Sequence, residues 1–299
     1  MIYIILPVHN RLLETSKFIS CLKKQTYFDY HLILVDDGST DGTAEMVFRE
    51  IKQLTILLGN GNLWWAGSLE KARKYLKTES KVLANDIVLI MNDDVTFDSN
   101  FLDNINLDIK DNTNALILAK CYDQKNVNIL IDSGSHVDWK KMSFTGTQKP
   151  EEVNVLSTRG LYMRYEVFYK IGKFHPILIP HYTSDYEFTI RAYKKGFKLL
   201  CSDRVVVFLN QDTTGVRDLD NSKGLNYLFK NLFFSKKSSF NKIYWTSFIL
   251  FACDLRYIPL NLIKLWGGTL KYFFRYFKHK INLVVKKIYE IGSGINFYL

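Results

Sequence analysis

Along the first hundred residues, short unbroken apolar runs alternate with stretches whose apolar positions recur at helical spacing. Residues 2–6 (IYIIL) run up to Pro7 and are followed by a polar turn and a helical pattern from Leu13 to Leu22, after which Leu32 to Val35 forms the next apolar run. The rhythm continues with a predicted helix near Thr43 to Ile51, a strand near Leu54 to Leu58, a helix from about Ala66 to Leu76 and a strand from Ile87 to Met91. Continuous Ile, Val and Leu runs separated by helices predict strands buried on both faces of a mostly parallel α/β sheet. Beyond residue 100 the pattern is mixed: short runs at Ala115 to Ala119 and Val127 to Ile131, helices near Arg164 to Ile171 and Ser184 to Lys195, and a strand at Val205 to Leu209. From Gly224 onward aromatic and basic residues interleave, so the chain divides into an α/β body over 1–215 and a helical region over 216–299.

Charge sharpens that division. The chain carries a formal net charge of +10, yet 13 Lys and Arg lie from Lys223 onward against two acids, Asp254 and Glu290. The body is close to neutral and the tail is strongly basic. Aromatic and aliphatic residues among those cations fit helices lying in the headgroup layer of an anionic membrane; packing on the body or on a second subunit, as in a homodimer, is the alternative. The run Ile243 to Trp266 has the length of a membrane span, but Asp254, Arg256, Asn261 and Lys264 interrupt it and Pro259 would break the helix, which argues against spanning. Nucleic acid is not expected as a partner, because the body is not basic and the tail holds no nucleic-acid-binding motif.

Cys21, Cys121, Cys201 and Cys253 are scattered without C-x-x-C spacing, which argues against a zinc site or disulfide framework. Met1 to Pro7 lacks the basic region and cleavage site of a signal peptide. The expectation is a cytoplasmic protein, peripheral on the inner face of the cell membrane.

In open α/β sheets, ligands sit beyond the carboxyl ends of the strands. His9-Asn10-Arg11, Asp36-Asp37-Gly38-Ser39, Gly59-Asn60-Gly61-Asn62 and Asn92-Asp93-Asp94 follow the first four strands. Asp36 and Asp37 can accept hydrogen bonds from a pyrimidine imide and ribose hydroxyls, with Gly38 allowing a close turn; the bland reading is a turn with Asp41 or Ser39 capping the next helix. Asn92-Asp93-Asp94 brings adjacent acids to a strand end with no Lys or Arg nearby in sequence, which suits Mg²⁺ or Mn²⁺ shared with a diphosphate. Trp64 and Trp65, after the third strand, offer sugar-contacting faces or else fill a core. In His181-Tyr182-Thr183-Ser184-Asp185-Tyr186-Glu187, Asp185 opens a helix as a cap or, facing a cleft, as a general base.

Together these segments resemble the family 2 glycosyltransferases of the GT-A fold, over roughly Ile2 to Gly215. The pieces are Leu6 to Arg11, Val35 to Ser39, Gly59 to Gly67, Met91 to Val95 and Pro180 to Arg191, and their order looks like the rhamnosyltransferase-like branch that builds bacterial surface polysaccharides. The resemblance implies a Rossmann-like, mostly parallel sheet flanked by helices, with a C-terminal helical membrane-associating appendage. It implies a nucleotide diphosphate sugar donor, UDP- or dTDP-linked and including rhamnose, and a glycan or lipid-linked acceptor. It places Pro7, His9, Arg11, Asp36, Asp37, Gly61, Trp65 and Asp93 around the donor nucleotide and Asn92 with Asp94 at a divalent metal. Trp64, His181, Tyr182 and Glu187 fall beside sugar or acceptor, and Asp185 falls at the catalytic base of an inverting displacement. Asn92 stands where the family has the first acid of its D-x-D motif, and Asn210 lies where many members carry a metal-binding His. A nucleotidyltransferase of related fold would carry a glycine-rich, basic phosphate loop that Pro7 to Leu13 lacks; a non-catalytic, membrane-bound sugar-binding protein is the third reading.

Overall fold

The computed structural model describes residues 1–213, 219 and 223–293. The chain forms two compact units, 1–216 and 217–299, so the boundary expected between 215 and 216 lies outside the described residues.

Within the first unit, β1 (Ile2–Val8), α1 (Leu12–Leu22), β2 (Tyr30–Asp36), α2 (Thr43–Glu50), β3 (Leu54–Leu58), α3 (Trp64–Thr78) and β4 (Ile87–Ile90) follow one another as the hydropathy pattern predicts. The second half adds β5 (Val95–Thr96), α4 (Phe101–Asp111), β6 (Ala115–Asp123), β7 (Leu130–Asp132), the hairpin β8 (Ser135–Asp138) and β9 (Ser143–Gly146), β10 (Leu161–Arg164), α5 (Tyr165–Ile171), α6 (Ser184–Lys194) and β11 (Lys198–Leu209). The main sheet has the order β3-β2-β1-β4-β10-β6-β11-β5, with β7 beside β6.

The expectation of a mostly parallel sheet holds for β3-β2-β1-β4. Beyond them β6 and β11 also pair in parallel, over the longest register of the sheet, while β10 runs antiparallel to both β4 and β6 and β5 runs antiparallel to β11. The sheet is mixed. The reversal matters for function, because an antiparallel β10 brings the segment before it, 158–160, to the edge where β1, β2 and β4 end. Two backbone bonds fix the approach: the amide of Gly160 donates to the Ile90 carbonyl at 3.1 Å, and that of Ala119 donates to the Gly160 carbonyl at 2.9 Å.

Side-chain alternation along β1 splits the core into two layers. Ile2, Ile4, Leu6 and Val8 join a cluster with Phe18, Ile19 and Leu22 of α1 and with Phe101, Leu102 and Ile105 of α4. Tyr3 and Ile5 face the other way, into a cluster with Leu69 and Ala72 of α3, Phe168 of α5 and Phe188 of α6. Successive residues of a strand point to opposite faces, so a strand apolar at every position needs helices on both. The short runs of the second half gave α4, β5, β8, β9 and β10 no distinct signature.

In the second unit, α7 (Leu225–Phe229), a π-helical turn at Lys230–Phe234 and α9 (Ile258–Ser293) pack around Leu228, Leu232 and Tyr276, and α8 (Lys242–Ala252) buries Phe248, Ile249 and Ala252. As expected, the run from Ile243 to Trp266 is not one helix: α8 ends at Ala252 and α9 starts at Ile258, with Pro259 in its first turn, where a missing N–H costs nothing. Among the described residues no helix is long and apolar enough to cross a membrane.

Candidate functional site

Parallel pairing aligns Val8, Asp36 and Leu58 across the sheet, so the turns after β1, β2 and β3 emerge side by side. The first of them is tied to the second. His9 Nδ1 lies 2.7 Å from the Asp37 carbonyl oxygen, which accepts; the ring therefore carries its proton on Nδ1 and turns Nε2 towards the side-chain amide of Asn10. Asn10, at φ 51°, donates its amide to the Ser39 hydroxyl and accepts from the Thr40 amide. Asp41 accepts from the amides of Leu12 and Thr43, satisfying the starts of both α1 and α2.

Asp37 joins the second turn to the third. Its Oδ1 accepts from the Gly61 amide at 2.8 Å, and its Oδ2 accepts from the amides of Leu63 and Trp64 at 2.8 and 3.0 Å. Two loops pressed this closely leave no room for side chains between them. A Cβ on Gly38, at φ 74°, would lie 2.9 Å from the Gly61 nitrogen, and one on Gly59 would lie 2.5 Å from Asp37 Oδ1. Asp37, read as a donor-base contact, has most of its roughly four acceptor sites taken by backbone. Asp36, 2% exposed, accepts from the Ser39 amide.

At the end of β4, sequence-adjacent acids face different partners. Asp93 is held by Arg11, whose Nε lies 2.7 and 2.8 Å from its two oxygens, and by the Thr15 hydroxyl. Arg11 Nη2 then reaches to 3.8 Å from Asp94 Oδ2. The acids that looked unneutralised along the sequence thus have a cation from the start of α1, and Asp93 is an anchor for that residue, not an open nucleotide contact. Asp94 remains under-satisfied: its Oδ1 is buried with no hydrogen-bond partner. Burial raises its pKa, against the pull of Arg159 and then Arg11. The backbone oxygen of Asp94 accepts from the Asn210 amide at 3.1 Å, which puts Asn210 at this strand end, next to half-buried Asn92.

Across the reversed strand stands Arg159, which sequence reasoning missed. It precedes the sharp turn at Gly160, where φ is 77° and a Cβ would lie 2.9 Å from that of Ala119. Its Nε is buried without a partner, and its charge acts on both Asp94 and Asp185. One guanidinium thereby joins a strand end and a helix start more than ninety residues apart in sequence. The only signal in the sequence was an Arg-Gly pair ahead of the three-residue apolar run Leu161 to Met163, too common to single out.

Asp185 lies in the first turn of α6, half-buried, and its Oδ1 accepts from the Tyr186 amide. Thr183, in the left-handed region at φ 66°, occupies the N-cap position without a side-chain capping bond. Desolvation pushes Asp185 up to about 6, opposed by the backbone bonds and by Arg159. The helix is fixed in place by Thr189, whose hydroxyl exchanges hydrogen bonds with the backbone of Leu156, and by the stacked rings of Phe174 and Phe188.

Between α3 and α6, Trp64 sits at φ 59° with its ring 5.4 Å from that of His181, which in turn lies 4.5 Å from Tyr182. The Ala66 amide donates to the Pro180 carbonyl, tying the two loops together. Asn10, Trp64 and Thr183 are three of the four non-glycine residues with positive φ among those described, and all lie at this edge of the sheet; such strain persists where surrounding structure enforces it, commonly at functional sites. One expectation fails on burial: Glu187, read as a sugar contact, is 2% exposed with both oxygens bound by Arg191. Trp65, expected as a donor contact, is half-buried against the core with its indole N–H donating to the Thr158 hydroxyl. Pro7 is a partly buried strand residue paired with Val35.

Among the described residues no three or more His, Cys, Asp and Glu side chains converge to hold a metal ion. The orphaned Oδ1 of Asp94 nevertheless suits a hard divalent ion that takes one protein oxygen and completes its shell from phosphate and water, a common arrangement for Mg²⁺.

The glycosyl transferase family 2 model matches residues 3–172, more than half of the chain. The chain belongs to that family, and it is a glycosyltransferase. A sequence search among curated proteins gives no significant match. Among solved structures it is similar to residues 1–349 of S. aureus TarS, at 17% identity and TM-score 0.54 over 92% of this chain and 80% of that one. TarS 1–349 in complex with UDP-GlcNAc aligns at 16% identity and TM-score 0.53, over 91% of this chain and 81% of that one. The mannosyltransferase PcManGT of Pyrobaculum calidifontis, in complex with GDP-Man and Mn²⁺, aligns at 13% identity and TM-score 0.55 over 99% of this chain and 80% of its own. At these identities the likeness establishes the GT-A fold.

Proposed function

We infer that this glycosyltransferase inverts the anomeric carbon of a sugar carried by a nucleoside diphosphate, with Asp185 as general base. The observation that carries this reading is the buried, unpartnered Oδ1 of Asp94 at the end of β4, together with Asp185 in the first turn of α6, where burial raises its pKa and the charge of Arg159 acts on it as it does on Asp94. A base operating near neutrality needs a pKa close to the working pH, and a raised Asp185 meets that need. In this assignment Asp185 takes the proton of the acceptor hydroxyl as its oxygen attacks the anomeric carbon, and the sugar–phosphate bond breaks with its electron pair leaving on the diphosphate. Asp94 would hold a divalent ion, with Asn92 in the same turn and the Asn210 backbone bonded to that of Asp94, and such an ion would screen the charge of the leaving group. Arg159 and the unpaired arm of Arg11 supply fixed positive charge on the same side. Asp36, His9 and the backbone around Gly61 border the donor nucleotide, and Trp64, His181 and Tyr182 border the sugar and acceptor.

The complexes of TarS with UDP-GlcNAc and of PcManGT with GDP-Man and Mn²⁺ support a nucleotide-sugar donor and a metal for this chain. Family membership favours this reading over a nucleotidyltransferase. We assign the acceptor to a glycan or lipid-linked glycan of surface polysaccharide synthesis, met by the peripheral enzyme at the inner face of an anionic membrane. The basic tail supports that placement.

The test is a thermal-shift screen of nucleotide sugars with and without Mn²⁺, followed by nucleoside diphosphate release with the best binder. The expected result is one sugar class that raises Tm further with Mn²⁺, with release abolished in Asp94→Ala. Release that survives that substitution unchanged would remove Asp94 from the site, and a screen with no binder would defeat the donor assignment.

A further inference from the structure

One face of α9 is buried inside the second unit and the opposite face has no cover. Asn261, Leu265, Thr269 and Tyr276 are 0%, 6%, 3% and 7% exposed and follow one another at steps of four, four and seven residues, the inward stripe of an amphipathic helix. Leu260, Ile263, Leu270, Phe274, Phe277 and Ile281 form a second stripe, spaced by three, four or seven, and are 39%, 71%, 61%, 73%, 52% and 61% exposed. Val284 extends it by one more step. At 1.5 Å per residue, the seam is about 36 Å long. A stripe of that regularity is not scattered surface hydrophobicity.

Charge decides what covers it. Lys264, Lys271 and Lys278 follow Ile263, Leu270 and Phe277 by one residue each, so one flank of the seam is a row of ammonium groups seven residues apart. Arg275, Lys280 and Lys286 add to it, and residues 258–286 contain no Asp or Glu. A second copy of α9 in a parallel coiled coil would set that lysine row opposite Trp266, Phe273 and Lys280, with no acid to receive it; coiled coils normally use those flanking positions for opposite charges. A planar anionic surface has no such conflict. Apolar side chains enter the acyl boundary while the lysine stems lie along it and their heads remain among lipid phosphates.

We propose that α9 docks flat on a bilayer of anionic phospholipid through the Leu260–Val284 seam, with Lys264, Lys271 and Lys278 as its headgroup contacts. The proposal gives a surface and an orientation to the membrane placement above and rests on that reading. Juxtamembrane lysines and anionic lipid attract within about a Debye length, so adhesion weakens as salt rises.

The test uses the full chain in co-sedimentation with vesicles of phosphatidylcholine alone or with phosphatidylglycerol added. The wild type is expected to bind only the anionic vesicles. Lys264→Gln with Lys271→Gln and Lys278→Gln should weaken binding by about 10²-fold, taking each lysine's contribution at its ordinary size, and Leu270→Glu with Phe274→Glu should abolish it. These side chains are solvent-facing, so far-UV circular dichroism and donor-induced thermal shift should match the wild type. Wild-type binding to neutral vesicles as strong as to anionic ones would overturn the proposal, as would anionic binding indifferent to both variants. Absence of vesicle binding, with a dimer in sedimentation equilibrium that Leu270→Glu with Phe274→Glu dissociates, would assign the seam to self-association instead. Donor binding is read separately, so a wrong membrane surface and a wrong transferase assignment give different results.

Discussion

The turns after β2 and β3 and the segments at the end of β4, before β10 and at the start of α6 treat their carboxylates in opposite ways. In the first, Asp37 and Asp41 are saturated with backbone N–H donors, and glycines let the loops touch. In the second, Asp94 keeps an orphaned oxygen, Arg159 an orphaned Nε, and Asp185 is pushed up to about 6 by burial. A buried polar group without a partner costs roughly 1–3 kcal/mol; of these two regions, the second bears that cost. Satisfied acids build the frame, and the under-satisfied ones are those the proposed function assigns to chemistry.

The contrast breaks first at Asp185. Asp185→Asn should lower turnover by about 10²–10⁴-fold, the usual worth of a general base, while calorimetric donor affinity stays within about twofold; equal loss in both would make Asp185 a binding residue. Asp94→Ala should cost about 10²–10³-fold in turnover and cancel any Mn²⁺-dependent tightening of the donor, measured by titration with and without the ion. In the saturated region the loss should be in stability: Asp37→Ala leaves three backbone amides without their acceptor and should lower the unfolding free energy by about 2–4 kcal/mol, read by urea denaturation.

Smaller effects sharpen the comparison. Asp185 must be ionised to act, so kcat should rise with pH through about 6 and level off above it. Arg159 holds that pKa down, so Arg159→Met should move the midpoint upward, a displacement that loss of packing alone would not produce. The stability linkage has the opposite sense. Because the folded pKa of Asp185 lies above its usual 3.8, the charged group disfavours the fold above about pH 6 and ceases to do so as pH falls towards 4. Asp185→Asn should therefore melt higher than the wild type at pH 8, with the gap closing near pH 4.

Much of the fold was legible because β1 to β4 are buried on both faces and their helices are periodic; those elements lie within a few residues of their expected bounds. The second half was not, since β10 is four residues long and α4 has the composition of an ordinary polar helix. At the site, the strand-end rule found the right turns but could not sort their acids. Glu187 and Asp185 are two residues apart on one helix; the i,i+4 spacing of Glu187 and Arg191 is a local pairing signal that the turn-based reading passed over, whereas only the folded structure shows Asp185 left with a backbone amide.

Sequence alone determined that polar turns follow apolar strands, that charge gathers in the tail, and that the family motifs occur in order, because these depend on local composition and spacing. Tertiary structure decided which carboxylates are held by backbone and Arg partners and which keep an unpartnered oxygen. That choice depends on desolvation and on partners from distant segments, Arg11 for Asp93 and Arg159 for Asp94 and Asp185, and no local pattern encodes them.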